Sequence, residues 1–271
     1  MASLTSFPRT LVFGAVAAVG FCSCFLTVFQ LAVFLFRSGF VDHFKNRDNS
    51  KIFEDAADPN LSSDLVWDLL LIVVFILQHS LMACRLWKRL IQWLGLGPVE
   101  RSLYILATCI ALQVLMAYWI PVQQGYVVWA LDVKSETVRI VFSVLTFLGW
   151  LGVVGVVMVL DYPDLVGVKQ VYYHAMGLEP PIQQKSTEYQ RLFKNFRHPI
   201  LTGLLIVLWA VPVMTISRLV LALSLSLYTL YGHSLDMHDY WYICRQHRLK
   251  KTELHSPRTP GGSRASSVSY G

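Results

Sequence analysis

The 26 residues from Leu11 to Phe36 contain no Lys, Arg, Asp or Glu, and this run constrains the fold more than any other feature of the chain. A helix of about 20 apolar residues crosses the ~30 Å hydrocarbon core of a membrane. The run is also longer than the ~7–15-residue core of a secretory signal. We therefore predict that it forms a membrane-spanning helix.

Five further apolar stretches follow along the chain. Their ranges are 65–81, 103–120, 140–160, 198–217 and 219–235. Each approaches or reaches the length of a helix that crosses a membrane. The sequence thus predicts an all-α fold, a multi-pass transmembrane helical bundle of about six spans within residues 1–251 that ends in a helical hairpin. Residues 252–271 are rich in Ser, Pro and Gly and are expected to form a disordered tail.

The composition excludes an ordinary soluble domain. Hydrophobic residues make up 55% of the chain, charged residues only 15%, and the mean hydropathy is +0.49. The net charge of +6 is concentrated in a few loops and in the tail, and no basic and aromatic module for nucleic acid is present, so we expect no direct contact with nucleic acid. The five cysteines form no CxxC pair, and we predict neither a disulfide framework nor a metal site.

Lys and Arg divide unequally between the two sides of a six-span bundle. The N-terminus, the loops after the second and fourth spans, and the C-terminus together hold 16 of them, whereas the other three loops hold 7. Loops rich in Lys and Arg stay on the cytoplasmic side of a membrane. We therefore expect both termini to face the cytoplasm or the nucleoplasm, with the lipid bilayer as the first partner of the chain.

The C-terminal hairpin carries charged residues at its two ends. They are Arg197-His198-Pro199 before the fifth span, and His233, Asp236 and Asp239 after the sixth. We expect a tight turn at Arg218, so that the antiparallel spans bring Arg197 close to Asp236 and Asp239 at one face of the membrane. Pro199 suits the first position of a helix, and a helix N-terminus favours anions. A carboxylate or a phosphate could bind at this candidate site.

Two polar or small-residue patterns lie inside the predicted spans. Gln78-His79-Ser80 is near the end of the second span, and polar residues at that depth face protein or a cavity. A hydrogen-bonded contact between helices is the favoured interpretation of His79, and a role as a ligand is the alternative. Gly149, Gly152 and Gly155 recur every third residue in the fourth span and predict a flat face for close helix packing.

Two basic clusters border the predicted spans. The first is an interfacial loop with Arg85, Lys88 and Arg89 interleaved with Trp87 and Trp93. The second is Arg245, Arg248, Lys250 and Lys251, on a helix that we expect to continue past Trp241. Juxtamembrane clusters of this kind suit anionic lipid.

Five stretches carry a resemblance to a known family. They are Gln78-His79-Ser80, Lys169 to His174, Leu192 to Pro199, Leu208-Trp209 with Val211-Pro212, and His233 to Asp236 with Asp239 and Tyr242. On these residues, which cover the second span and most of the C-terminal half, the chain resembles the nurim family of multi-pass inner nuclear membrane proteins. The resemblance implies residence in the inner membrane of the nuclear envelope.

That family is in turn distantly similar to the isoprenylcysteine carboxyl methyltransferases, membrane enzymes that use S-adenosylmethionine. In those enzymes an Arg-His-Pro motif followed by Tyr and Gly, and a Glu-Glu pair after the last hairpin, help to build the cofactor pocket. Here Leu201 stands where the Tyr is expected, and Asp236 and Asp239 stand in place of the Glu pair. The resemblance implies a methyltransferase-like pocket whose cofactor-binding residues are Arg197, His198, Gly203, His233, Asp236 and Asp239; it names no catalytic residue.

Two functions are compatible with these residues. In the first, which we favour, Arg197 pairs with Asp236 or Asp239 and His198 caps the helix, so that the hairpin is a structural element of a nuclear envelope protein. Its candidate partners are other nuclear envelope proteins, and it needs no cofactor. In the alternative, Arg197 holds the methionine carboxylate of S-adenosylmethionine and an Asp orients its ribose or amine, in a carboxyl methyltransferase-like membrane enzyme.

Overall fold

A computed structural model of the chain describes residues 6–40, 60–120, 127–132, 134–190, 200–232 and 237–255, and every structural statement below refers to these residues. The chain forms two compact units, residues 1–234 and residues 235–271. Each unit is described by itself.

Four helices of the first unit are long and apolar enough to cross a membrane. They are α1 (Ser6–Phe40), α2 (Leu61–Ala83), α4 (Glu100–Tyr118) and α5 (Glu136–Val159). Large apolar side chains point outward from them, for example Phe29 on α1, Leu77 on α2 and Phe147 on α5. A soluble protein would bury such side chains, whereas a membrane protein turns them towards lipid. The predicted all-α, multi-pass membrane bundle is confirmed.

The remaining elements of this unit are shorter. They include α3 (Arg85–Trp93), β1 (Val127–Ala130), α6 (Tyr162–Leu165), α7 (Val168–Ala175), α8 (Leu201–Trp209), β2 (Val213–Thr215) and α9 (Ile216–Gly232). Two 3-10 helices, Gly97–Val99 and Pro181–Gln184, also belong to this unit. Helix α4 packs against α1 and α2, α5 packs against α8, and α9 packs against α2 and α8. The core between these helices is built from apolar side chains such as Ile72, Leu115, Leu208 and Leu221.

The predicted fifth span, residues 198–217, is not one continuous helix. Helix α8 ends at Trp209, after nine residues, and the chain continues through strand β2 into α9. Pro212 explains the break, because proline lacks an N–H for the helix and disfavours helical backbone at the residue before it. The expected tight turn at Arg218 is therefore wrong, because Arg218 lies in the first turn of α9.

A small antiparallel sheet joins two connections that are far apart in sequence. Strand β1 follows α4 and β2 precedes α9, with Trp129 opposite Met214 and Ala130 opposite Val213. The indole nitrogen of Trp129 also donates to the carbonyl of Val211, at 3.2 Å. The sheet thus marks one end of the bundle, which we call the sheet end.

We call the opposite end of the bundle the α3 end. It contains segments that the distribution of Lys and Arg predicts to lie on one side of the membrane. Phe13 and Ala17 of α1 form one buried cluster with Val99 and with Val171 of α7. The guanidinium of Arg9 donates to the carbonyl of Gly95 at 2.8 Å. The start of α1, the segment between α2 and α4, and the segment after α5 therefore lie at the same end of the bundle.

The second unit contains α10 (Met237–His255). The helix continues past Trp241, as expected, and includes the first four residues of the predicted tail, 252–255. Its basic residues Arg245, Arg248, Lys250 and Lys251 are exposed. They form a charged surface on this unit.

Candidate functional site

Most of the predicted cofactor set lies outside the described residues. This holds for Arg197, His198, His233 and Asp236. Asp239 belongs to α10, but its side chain is likewise outside the described part of the structure. The predicted meeting of Arg197 with Asp236 and Asp239 therefore stays a prediction.

Gly203 is the one member of the set with a described environment. It lies in α8 against α5, and a Cβ at this position would stand 2.6 Å from the carbonyl oxygen of Gly149 and 2.8 Å from a methyl group of Val153. The absence of a side chain lets the two helices approach closely. The Cβ side of Gly203 thus faces α5 at close range.

The glycine face predicted for the fourth span faces the same helix. A Cβ on Gly149 would meet Val207 of α8 at 2.7 Å, and Gly152 has Gly203 as its neighbour, whereas Gly155 has open space around it. The close-packing interpretation is confirmed for the first two glycines. The third is not part of the α5–α8 contact.

A half-buried polar cluster joins α2, α4 and α9. Its members, which we call the His79 cluster, are His79, Ser80, Tyr104, Thr108 and Tyr228. The hydroxyl of Tyr104 is 2.7 Å from Nε2 of His79, and the Thr108 hydroxyl is 3.2 Å from Nδ1 of the same ring. The hydroxyls of Ser80 and Tyr228 are 3.1 Å apart. The predicted interhelical contact of His79 is therefore confirmed.

The described neighbours of the His79 ring are hydroxyls and an aromatic side chain. Hydroxyl groups contact both ring nitrogens of His79, and Phe75 stacks against the ring with centroids 5.6 Å apart. Sequence reasoning found His79 but missed its partners. The available signal was that Tyr104 and Thr108 are one helical turn apart in an apolar run.

Two buried ionisable residues tie helix ends together at the sheet end. Asp68 of α2 is fully buried, and its carboxylate accepts a hydrogen bond from the backbone N–H of Ile120 at 2.9 Å. Arg218 of α9 is 2% exposed and donates to the carbonyls of Leu35 at 2.7 Å and Val207 at 3.0 Å. Val207 lies in the last turn of α8, where carbonyls have no partner within the helix. Arg218 therefore links α9 to α1 and caps α8.

At the α3 end, the segment after α5 is held by an ion-pair network. Asp161 has a positive φ of 67°, and one of its carboxylate oxygens accepts from Lys169 at 2.7 Å and from Lys185 at 2.8 Å. Burial alone would raise the pKa of the Asp161 carboxyl, but the two lysines outweigh burial and lower this pKa. Both lysines belong to the segment 161–190, so the network folds this segment onto the end of α5.

The pKa of a second carboxyl group in this segment, that of Asp164, is shifted in the opposite direction. Asp164 is 2% exposed, and its side chain accepts a hydrogen bond from the amide of Gln170 at 2.7 Å. Burial raises the pKa of Asp164, although the positive charge of Arg101 opposes the shift. Among the described residues, no group of three or more His, Cys, Asp or Glu is arranged to hold a metal ion.

Comparison with known proteins identifies the family. Nurim of Bos taurus is 42% identical over 207 residues, which cover 74% of this chain and 77% of the relative. Nurim of Homo sapiens is 40% identical over 207 residues, with the same coverage of both chains. Nurim of Danio rerio is 40% identical over 192 residues, which cover 70% of each chain. No family model and no solved structure matches the chain. At this identity and coverage, the chain belongs to the nurim family.

Proposed function

We propose that this protein is a structural or interaction component of the inner nuclear membrane, with both termini in the nucleoplasm or cytoplasm. The location is supported by the resemblance of the chain to the nurim family of inner nuclear membrane proteins. The orientation is supported by the distribution of Lys and Arg. The observation that carries the structural role is the His79 cluster, in which hydroxyls from α4 contact the ring nitrogens of His79 on α2.

Polar groups inside a membrane bundle are costly unless they find partners, so their arrangement indicates what they do. In the described residues they bond to neighbouring helices: His79 to α4, Asp68 to the end of α4, and Arg218 to α1 and α8. Together with the glycine contact between α5 and α8, these bonds fix the positions of the helices. A rigid body of this kind suits a protein that holds partners at a membrane.

The basic surface of α10 gives the interaction role a second support. Its exposed Arg and Lys residues suit acidic proteins of the nuclear envelope as well as anionic lipid.

Recovery of fluorescence after photobleaching tests the proposal. The tagged chain should concentrate at the nuclear rim and recover more slowly there than a freely diffusing membrane marker. Tyr104→Phe, which removes the hydroxyl bonded to His79, should speed recovery, whereas Tyr231→Phe, at a side chain that is 92% exposed, should leave it unchanged. A chain spread evenly over the endoplasmic reticulum, or one as mobile as the marker, would refute the structural role.

The second candidate function is that of an S-adenosylmethionine-dependent carboxyl methyltransferase. It is favoured by Arg197-His198-Pro199 and Gly203, which match part of the cofactor-binding motif of the isoprenylcysteine carboxyl methyltransferases, whereas Leu201 stands where that motif has Tyr. In this function Arg197 would bind the methionine carboxylate of the cofactor, which supplies the methyl group. The packing of Gly203 against α5 weighs against it. The function requires saturable binding of the cofactor that is lost in Arg197→Ala.

A further inference from the structure

Helix α3 begins where the chain leaves a predicted membrane span. Helix α2 ends at Ala83, and Cys84 has extended backbone, with φ −73° and ψ 158°. The sulfur of Cys84 accepts a hydrogen bond from the backbone N–H of Trp87 at 3.5 Å and thereby caps the new helix. The break in helical backbone means that α3 does not simply prolong α2. It lies at the level where a span of this length ends.

One side of α3 is fixed against the protein. Ile91 is 4% exposed, and Trp87, one helical turn earlier, is half-buried. These two side chains set the rotation of the helix about its axis. The rest of its circumference faces outward.

The outward part divides into two sectors. The apolar sector contains Leu86, which is 75% exposed, Leu90, and Trp93, which is 81% exposed. These residues recur at intervals of four and three and so share one helical face. Leu77 and Leu81, on the last turns of α2, are comparably exposed. Such a row of uncovered apolar side chains at the end of a span is expected where the lipid acyl chains begin.

The other outward sector is cationic. Arg85, Lys88 and Arg89 are exposed, and the one ion pair that the described residues give them joins Lys88 to Glu100 at 3.9 Å. The exposed Arg9 of α1 lies near the C-terminal end of α3, on the carbonyl of Gly95. Among the described residues, these four positive charges thus have one carboxylate as an ion-pair partner. The distance of 3.9 Å between Lys88 and Glu100 is at the outer limit for an ion pair.

We infer that α3 is a recognition surface for anionic phospholipid headgroups. Leu86, Leu90 and Trp93 enter the boundary of the acyl chains, while Arg85, Lys88 and Arg89 bind the phosphate and carboxylate groups above it. A bilayer surface fits better than an acidic protein, because the two outward sectors of the helix match the apolar and anionic layers of one membrane leaflet. The inference is independent of the proposed function.

Fluorescence quenching in nanodiscs tests this inference. The chain contains eight tryptophans, so the signal of Trp93 is obtained as the difference between the chain and Trp93→Phe. Brominated acyl chains are placed on phosphatidylserine or on phosphatidylcholine at the same mole fraction. Quenching of Trp93 should be about two-fold stronger or more with the brominated phosphatidylserine. The excess should shrink when the salt concentration is raised, because exposed charges are screened.

Two triple variants with equal loss of charge complete the test. Arg85→Gln/Lys88→Gln/Arg89→Gln should abolish the excess quenching by phosphatidylserine. Arg37→Gln/Lys134→Gln/Arg139→Gln, at exposed positions outside α3, should preserve it. Equal quenching by the two lipids in the unsubstituted chain, or an excess that survives the first triple variant, would overturn the inference. Trp93 unquenched by either lipid would show that protein covers α3, and would also overturn it.

Discussion

Gly203 of α8 lies so close to Gly149 of α5 that a Cβ at position 203 would stand 2.6 Å from the carbonyl oxygen of Gly149. This distance is well below van der Waals contact, and the carbonyl belongs to a helix backbone that cannot move alone. The contact between α5 and α8 therefore depends on the absence of a side chain at position 203.

We expect Gly203→Ala to destabilise the bundle by about 1–3 kcal/mol, the usual cost of overpacking. Thermal unfolding of the purified protein in detergent measures the effect. Gly155→Ala is the matched control, because nothing lies within 4 Å of a Cβ there, and it should be neutral or slightly stabilising. An unchanged unfolding temperature for Gly203→Ala would mean that α5 and α8 are not in close contact.

The hydroxyl of Tyr104 makes the shortest contact of the His79 cluster, 2.7 Å to Nε2 of His79. Tyr104→Phe should destabilise the protein by about 0.5–1.5 kcal/mol, because the half-buried ring of His79 loses a hydrogen bond to α4. Tyr231→Phe removes an exposed hydroxyl and should have no effect. If the two variants unfold at the same temperature, the His79 cluster does not hold α2 and α4 together.

Arg218 should be sensitive even to a change that keeps its charge. A lysine at this position cannot donate to the carbonyls of both Leu35 and Val207 with the geometry of a guanidinium. We expect Arg218→Lys to cost about 1.5–3 kcal/mol, the value of a hydrogen bond to a charged group. Arg139→Lys, at an exposed position on α5, serves as the control in the same unfolding assay. Equal stability of the two variants would argue against the cap on α8.

Asp161 and Asp164 should affect the pH dependence of stability with opposite signs. The pKa of Asp161 is lowered in the folded protein, so its contribution is present above the unfolded-state pKa of about 4 and is lost as the pH falls through the folded-state pKa. The pKa of Asp164 is raised, so ionisation of this buried carboxyl removes stability as the pH rises above about 4.

Asp161→Asn should therefore lower the unfolding temperature at pH 7 and have less effect in acid. Asparagine tolerates the positive φ of 67° at this position, so the substitution tests the charge and not the backbone. Asp164→Asn should remove the loss of stability that sets in as the pH rises above about 4. If the unfolding temperature changed with pH in the same way for both variants and the unsubstituted protein, the opposite effects assigned to Asp161 and Asp164 would be contradicted.

The long spans were predictable because an uncharged run near 20 residues has few alternatives to a membrane helix. The spacing of Gly149 and Gly152 likewise indicated a packing face without further information. The break after Trp209 was not predictable in the same way, since Pro212 alone can kink a helix or end it. The outcome depends on the pairing of β2 with β1, a partner more than 80 residues earlier in the chain.

Arg218 shows why charge is an uncertain marker of loops in such a chain. A lone arginine between two apolar runs suggested a turn in water, yet the helix ends beside it supply the acceptors that let it lie buried. The partners of His79 were hidden for a related reason. Tyr104 and Tyr228 belong to apolar runs. Only the packing of α4 and α9 against α2 brings the Tyr104 hydroxyl to His79 and the Tyr228 hydroxyl to Ser80.

We propose that the polar residues of this bundle hold helices together and form no site for S-adenosylmethionine. Isothermal titration calorimetry of the purified protein with S-adenosylmethionine, in detergent, tests this proposal most directly. We predict no saturable heat of binding, either for the unsubstituted protein or for Arg197→Ala. Saturable binding that disappears in Arg197→Ala would contradict the structural account and support the methyltransferase.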